Sequence, residues 1–181
     1  MFIRNIEKHF MIRMLSARDA QPLSQLIDES RQFLTNWLPW LENINSEDDA
    51  LHYIKNTLIS FHERKSITTG IWFEEQFVGM IAYTELDFTN NVGHLGYLLG
   101  EKYQGKGLMT KSVTEMIDYG FHELSLNRIE MRISKNNVSS LQIPKKLGFT
   151  EEGCIREAQK IHDRYVDHVI FGLLRCEWKN H

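Results

Sequence analysis

The sequence predicts a mixed α/β domain: a mostly antiparallel, twisted sheet with a central parallel, crossover-connected strand pair and helices on both faces. Three observations carry this. Residues 16–30 and 46–62 show helical spacing, whereas from residue 66 the period drops to that of strands. An apolar strand at 94–99 feeds a Gly-rich turn, a helix and then another strand, and such a crossover makes the two strands parallel neighbours. Two further strand-like runs close the chain as a hairpin. The length of 181 residues suits a single domain over 1–181.

In chain order, residues 9–15 (HFMIRML) alternate and predict an edge strand. Residues 16–30 form a helix with Leu23, Leu26 and Ile27 on one face. Phe33, Leu34, Trp37, Leu38, Trp40 and Leu41 then crowd around Pro39, a patch too aromatic for a plain connector. Ser46 caps the next helix, Glu47, Asp48 and Asp49 complement its dipole, and Leu51, Ile54, Leu58 and Phe61 continue it to about His62. Residues 66–73 and 77–85 are strands joined through Glu74, Glu75 and Gln76; the second is apolar at nearly every position, as in a strand covered on both faces.

Asn90 and Asn91 mark a turn before the central strand, 94–99 (HLGYLL). After residues 100–107, Val113, Ile117, Phe121 and Leu124 recur at helical intervals to about residue 126. In 128–133 (RIEMRI), Ile129, Met131 and Ile133 alternate with charges, which predicts one buried face. Residues 136–147 form a short helix stopped by Gly148, and 149–159 pairs with 164–174.

Composition excludes several classes. Hydrophobic residues at 42% and charged residues at 25% are the ordinary balance of a globular protein. A net charge of −3 argues against direct nucleic-acid binding, which calls for a basic excess. No apolar run approaches the ~20 residues of a membrane span, and MFIRNIEKHF lacks a signal-peptide core, so the expected location is the cytoplasm. Cys154 and Cys176 match no metal or redox spacing and are expected as buried or half-buried free thiols. The eight histidines form no ligand spacing either; His162 and His168 are expected as a surface pair on the last hairpin, and no metal is expected.

A strand feeding a Gly-rich loop at a helix start is an anion site, because the first-turn amides lack partners and the dipole end is positive. Gly105 and Gly107 let a pyrophosphate approach the backbone, and Lys106 adds a cation. Spacing then selects the ligand. As a nucleotide triphosphate loop, residues 100–106 satisfy G-x-x-x-x-G-K, but Gly107 stands where a hydroxyl must bind magnesium. As a dinucleotide fingerprint, Gly105 and Gly107 would need a third glycine where Thr110 stands. The pattern that remains is Q-x-x-G-x-x, Gln104 to Met109.

This segment resembles the coenzyme A loop of the GNAT superfamily of N-acetyltransferases, with Met109 in place of the usual small residue. Asn137-Val138-Ser139-Ser140 followed by Lys146-Leu147-Gly148-Phe149 resembles the family's next signature, an Asn that reaches the pantetheine arm. Trp37-Leu38-Pro39-Trp40, Ser46-Glu47-Asp48-Asp49, Gly96-Tyr97 and Arg164-Tyr165-Val166-Asp167 are similar to the branch that acetylates N-terminal amines of ribosomal proteins.

The resemblance implies acetyl-CoA as co-substrate, held by Leu98, Leu99, Gln104, Gly105, Lys106, Gly107, Leu108, Met109, Thr110 and Asn137. The expected reaction is direct transfer in a ternary complex. The chemistry needs a neutral amine, support for the developing oxyanion and a proton for the departing thiolate. An N-terminal α-amine, with a pKa of about 7.7–8.0 against about 10.4 for lysine, makes a weak or water-relayed base sufficient. The branch assigns that base to Glu101, which otherwise reads as a solvated loop carboxylate. Pro144 stands where many members carry a tyrosine acid, and the resemblance offers Ser140 instead, otherwise a helix-start serine. Because Pro144 has no N–H, the carbonyl of Ser140 loses its helical partner. Trp37, Trp40 and Tyr165 are candidates for an acceptor pocket, or for plain packing. The expected partners are a protein N-terminus, ribosomal or other, or a small amine such as a polyamine or antibiotic, and a second copy of the chain; a non-catalytic acyl-CoA-binding module is the alternative outside enzymes.

Overall fold

The structure, a computed structural model, describes residues 2–178. Among these, eight strands form one sheet: β1 (Ile3–Glu7), β2 (Phe10–Met14), β3 (Ile67–Phe73), β4 (Gln76–Asp87), β5 (Val92–Leu99), β6 (Arg128–Ser134), β7 (Thr150–Ile161) and β8 (Arg164–Leu174). Their order across the sheet is β1, β2, β3, β4, β5, β6, β8, β7. Four helices accompany it: α1 (Ala20–Thr35), α2 (Glu47–His62), α3 (Leu108–His122) and α4 (Val138–Lys146). Only β5 and β6 pair in parallel.

The covered strand expected at 77–85 is β4, buried continuously from Phe77 to Ile81. Helices α1 and α2 pack on each other and lie against β4 and β3, whereas α3 lies against β1, β5 and β6. Ser46 caps α2 as its sequence suggests: its Oγ accepts the Asp49 amide at 3.1 Å and donates to Asp49 Oδ2 at 2.8 Å. In α3, Gly120 is required by a close approach: the Tyr83 hydroxyl, fully buried, donates to the Met116 carbonyl at 2.7 Å over the spot where a Cβ would stand.

The parallel pairing is short. Val92, Gly93 and His94 face Arg128, Ile129 and Glu130, and there it stops. Beyond this rung β5 stays with β4 as far as Leu99, and β6 stays with β8 as far as Ser134. The two strands therefore part into a wedge, leaving one edge of β5 without a strand partner.

Four expectations are corrected. The strand at residues 9–15 is not an edge: β1, half-exposed and too polar to signal itself, pairs outside it. Helix α1 runs five residues past Ser30, since Leu34 continues its buried stripe. Strand β6 is covered on both faces, with Glu130 only 8% exposed. Both cysteines are exposed, Cys154 on the outer strand β7 and Cys176 in a turn after β8.

Strand β2 is fastened to α1 by charge. Arg13 lies over the Trp72 ring and donates to both oxygens of Asp19, at 2.7 and 2.9 Å, while the Ser16 amide and hydroxyl donate to the same carboxylate. Burial opposes ionisation of Asp19, but the bonds from Arg13 and Ser16 outweigh it and hold the carboxyl below its ordinary 3.8. A depressed carboxylate stabilises the fold above its unfolded pKa and stops doing so as pH falls through its folded one. Asp19→Asn should therefore cost about 2 kcal/mol near neutrality. In urea unfolding the gap to wild type should close once the pH drops below Asp19's depressed pKa.

Candidate active site

The wedge between β5 and β6 opens into a cavity of about 800 Å³, within the usual range for a small-molecule site. It extends from His94, at the last shared rung, past Leu99 to Gly105 and Gly107. Five residue-to-residue steps of strand lead from His94 to Leu99, a span of about 16 Å, so the cavity suits an extended ligand.

At the loop end, Gly107 caps α3 with φ +75° and Gly105 has φ +74°, both left-handed. A Cβ at either position would meet nothing within 4 Å. The glycines serve the backbone path and leave open space above the helix start, where the amides of Leu108, Met109 and Thr110 have no acceptor within the helix. The loop is anchored from behind. The Glu101 amide donates to Ser30 Oγ at 3.1 Å, Lys102 pairs with Glu29 at 2.6 Å, and the buried Tyr103 donates to Gln76 Oε1 at 2.6 Å.

Along the cavity wall, Leu98 and Leu99 lie on the unpartnered edge of β5. Opposite, Asn137 caps α4: its side-chain oxygen accepts the Ser140 amide at 3.2 Å and the Ser139 hydroxyl at 3.0 Å, so its amide nitrogen is the group left for a ligand. The carbonyl of Ser140, orphaned by Pro144, is taken by the Tyr97 hydroxyl at 3.1 Å, which crosses the wedge from β5 to α4. Burial holds the Tyr97 phenol well above its ordinary 10.0, so it remains a donor. Ser134 borders the same space, and its buried hydroxyl has no partner among the described residues.

These features fit coenzyme A on their own terms: an open anion cradle, an unpaired strand edge and an orphaned hydroxyl. Gln104, Gly105, Gly107, Leu108, Met109 and Thr110 border the cavity with Leu98, Leu99, Asn137 and Ser140. Lys106 does not; its ammonium lies over the outer face of Tyr103, 5.6 Å from the ring centre. Glu101 does not border it either, standing exposed on the turn Glu101–Tyr103.

Trp37 and Trp40 line the cavity with Phe33, Leu34 and Leu38. Arg31 fixes this wall by donating to the carbonyls of Leu41 and Ile44 at 3.3 and 2.8 Å, and Trp40 stacks on Tyr53 with ring centres 5.1 Å apart. Tyr165, by contrast, is 60% exposed near the β7–β8 turn and outside the lining. His162 and His168 do not form a surface pair. His162 sits in that turn, 3.3 Å from Glu42, while His168 is half-buried in the cavity and shares a hydrogen bond with Gln159 at 3.0 Å. Burial, then the charge of Arg132, holds His168 below its ordinary 6.5. Among the described residues, no group of three or more His, Cys, Asp or Glu is placed to hold a metal, and no helix is long and apolar enough to cross a membrane.

Polar residues missed in the sequence complete the site: Glu85, His94, Glu130 and Arg132. Glu130 accepts from Arg128 at 2.8 Å and from Arg132 at 2.7 Å, and its Oε1 lies 3.5 Å from His94 Nδ1. Burial works against its charge, but the two arginines keep the carboxyl below its ordinary 4.5. The charged alternation of 128–133 hinted at Glu130 and Arg132, and nothing local marked Glu85 or His94.

Residues 9–150 match the family model described as "Acetyltransferase (GNAT) domain". The "Putative ribosomal N-acetyltransferase YdaF" of Bacillus subtilis (strain 168) is 32% identical over 99% of this chain and 98% of its own. The "Ribosomal-protein-serine acetyltransferase" of Escherichia coli (strain K12) is 24% identical over 90% of each chain. A ribosomal-protein α-N-acetyltransferase solved in complex with coenzyme A superposes with a TM-score of 0.92 at 18% identity, over 96% of this chain and 98% of that one, a likeness of fold.

Proposed function

The chain belongs to the GNAT acetyltransferase family, and from that premise we propose that it transfers the acetyl group of acetyl-CoA to the N-terminal α-amine of a ribosomal or other protein, by direct transfer in a ternary complex. The observation that carries this reading is the wedge itself: one cavity is lined by an open anion cradle at Gly105 and Gly107, by Trp37 and Trp40, and by the carboxylates of Glu85 and Glu130. The aromatic wall suits a peptide end, and the carboxylates suit a cationic amine. The names of two relatives add a ribosomal-protein acceptor as the first candidate.

In this reading the α3 amides and the loop from Gln104 to Thr110 hold the pyrophosphate, with Lys106 contributing charge from its outer side. Leu98, Leu99 and Asn137 hold the pantetheine arm. When bound, acetyl-CoA supplies the activated acetyl thioester. The backbone at Leu98 and Leu99 supports the developing oxyanion, and Ser140 gives a proton to the departing thiolate. Glu101, outside the cavity lining, acts through water at the rim, passing protons toward solvent. Tyr165 belongs to the approach of the acceptor. The protein acts in the cytoplasm, and a second copy of the chain closes the acceptor groove, which light scattering at working concentration tests.

The decisive assay measures free thiol released from acetyl-CoA against a panel of N-terminal peptides, polyamines and antibiotic amines. Turnover only with peptides supports the proposal. Turnover only with small amines moves the acceptor, and tight binding without turnover makes the chain a binding module. Ser140→Ala should lower kcat by about 10²-fold, the usual weight of one acid–base group, with the KM for acetyl-CoA little changed. An unaltered kcat removes Ser140 from the mechanism.

A further inference from the structure

Three neighbouring strands set a carboxylate, an imidazole and a carboxylate in one row at the end of the cavity away from the glycines. Glu85 on β4 is the register partner of His94 on β5, and His94 is the register partner of Glu130 on β6. Register partners present their side chains on one face of a sheet, and all three residues border the cavity. The row lies on the last rung before β5 and β6 part, and His94 is the cavity-lining residue of β5 farthest along the strand from the glycine cradle. Its backbone is pinned: the Thr84 hydroxyl donates to the His94 carbonyl at 3.2 Å.

The row is also oriented. Arg128 and Arg132 hold the Glu130 carboxylate from two sides, and this fixed negative charge lies against Nδ1 of His94 rather than Nε2. A carboxylate beside Nδ1 favours the tautomer that carries its proton there, which leaves the Nε2 lone pair free. The charged and titratable groups that bear on His94 are Glu85 and Asp87 from β4, Glu130 with its two arginines from β6, and His168 from β8. The carboxylates attract an ammonium; the imidazole can discharge it.

We infer that His94 is a catalytic residue for the acetyl transfer proposed above, taking the proton from the acceptor ammonium at Nε2, with Glu130 as its positioning residue. The inference rests on the acetyltransferase reading. In the step, an N–H bond of the ammonium breaks and its proton passes to Nε2. The freed nitrogen pair forms the C–N bond to the acetyl carbon, the C–S bond breaks with its pair leaving on sulfur, and the nitrogen loses a second proton. One proton ends on the thiol and one reaches solvent, so the balance is ammonium plus thioester to amide, thiol and H⁺.

The test is the pH profile of kcat/KM with an N-terminal peptide for wild type, His94→Gln, Glu130→Gln and Glu101→Gln. In His94→Gln the acid-side bend should differ from that of the wild type and fall at the acceptor's own titration, about 7.7–8.0 for an α-amine. The loss should be about 100-fold at pH 6.5 and should shrink as the pH rises toward the acceptor's own pKa. Glu130→Gln should lower kcat with the KM for the peptide little changed, and Glu130→Asp, which keeps the carboxylate, should recover part of the loss, a rescue that lost packing alone does not produce. A His94→Gln protein that binds acetyl-CoA and keeps the wild-type profile overturns the inference, and so does a bend that moves in Glu101→Gln instead. Should His94→Gln fail to fold, ring ¹⁵N shifts of His94 in the wild type bound to coenzyme A decide: Nδ1–H supports the inference and Nε2–H refutes it. A wild type silent toward every amine sinks the acetyltransfer reading and this inference together, whereas an active wild type with an unmoved His94→Gln sinks the inference alone.

Discussion

Gly107→Val is expected to weaken acetyl-CoA binding by about 100-fold, about 2.7 kcal/mol. Two effects combine. The branched side chain would occupy the space above the α3 start that no protein atom fills, the room a pyrophosphate needs to reach the amides. It would also force a β-branched residue to a φ of +75°, at a further cost of about 1–2 kcal/mol in stability. Since no protein atom is displaced, the fold should persist, with a modest drop in melting temperature. Calorimetric titration with acetyl-CoA measures the effect, and undiminished affinity would place the ligand elsewhere.

Gly79→Ala should be the most damaging single methyl in the chain. Gly79 sits opposite Leu99 in the β4–β5 ladder, and a Cβ there would collide with the carbonyl oxygen of Leu98 and stand 3.2 Å from the Leu99 Cα. Backbone cannot rotate away as a side-chain end can. The ladder must therefore shift, at a cost of about 3 kcal/mol, the upper end for overpacking. For a chain of this size that corresponds to a fall of about 6–12 °C in melting temperature. The shift would fall on the stretch of β5 that borders the cavity, so affinity for acetyl-CoA should drop as well. Scanning calorimetry with and without the co-substrate separates the two losses, and a wild-type melting curve would refute the collision.

Local features of the chain were legible wherever one residue or one period decides the structure. Ser46 capped its helix, Pro144 orphaned the Ser140 carbonyl, and Gly105 and Gly107 took left-handed backbone between a strand and a helix start. The cradle could be read because its parts are contiguous in sequence. Strand β1 could not, because Ile3, half-exposed among polar neighbours, carries no buried stripe. Lys106 and Tyr165 stand outside the cavity lining, since side-chain direction at a loop tip depends on what packs behind it, as Tyr103 does under Lys106. The row of Glu85, His94 and Glu130 was invisible for a different reason. It exists only through cross-strand register, and the β-bulge between Tyr83 and Glu85 resets that register in a way no local pattern announces.

The three-rung parallel pairing has a thermodynamic consequence. Past His94 the sheet lacks a member, and a ligand chain lying against the free edge of β5 would take the place of the missing strand contacts. Anything that binds only the folded state adds RT ln(1 + [L]/Kd) to its stability, about 2.7 kcal/mol at a hundredfold excess over Kd. Metabolic supply of the acyl donor would thus govern more than turnover. Bound co-substrate should therefore protect β5 and β6 from proteolysis, and limited digestion with and without acetyl-CoA reads that protection directly.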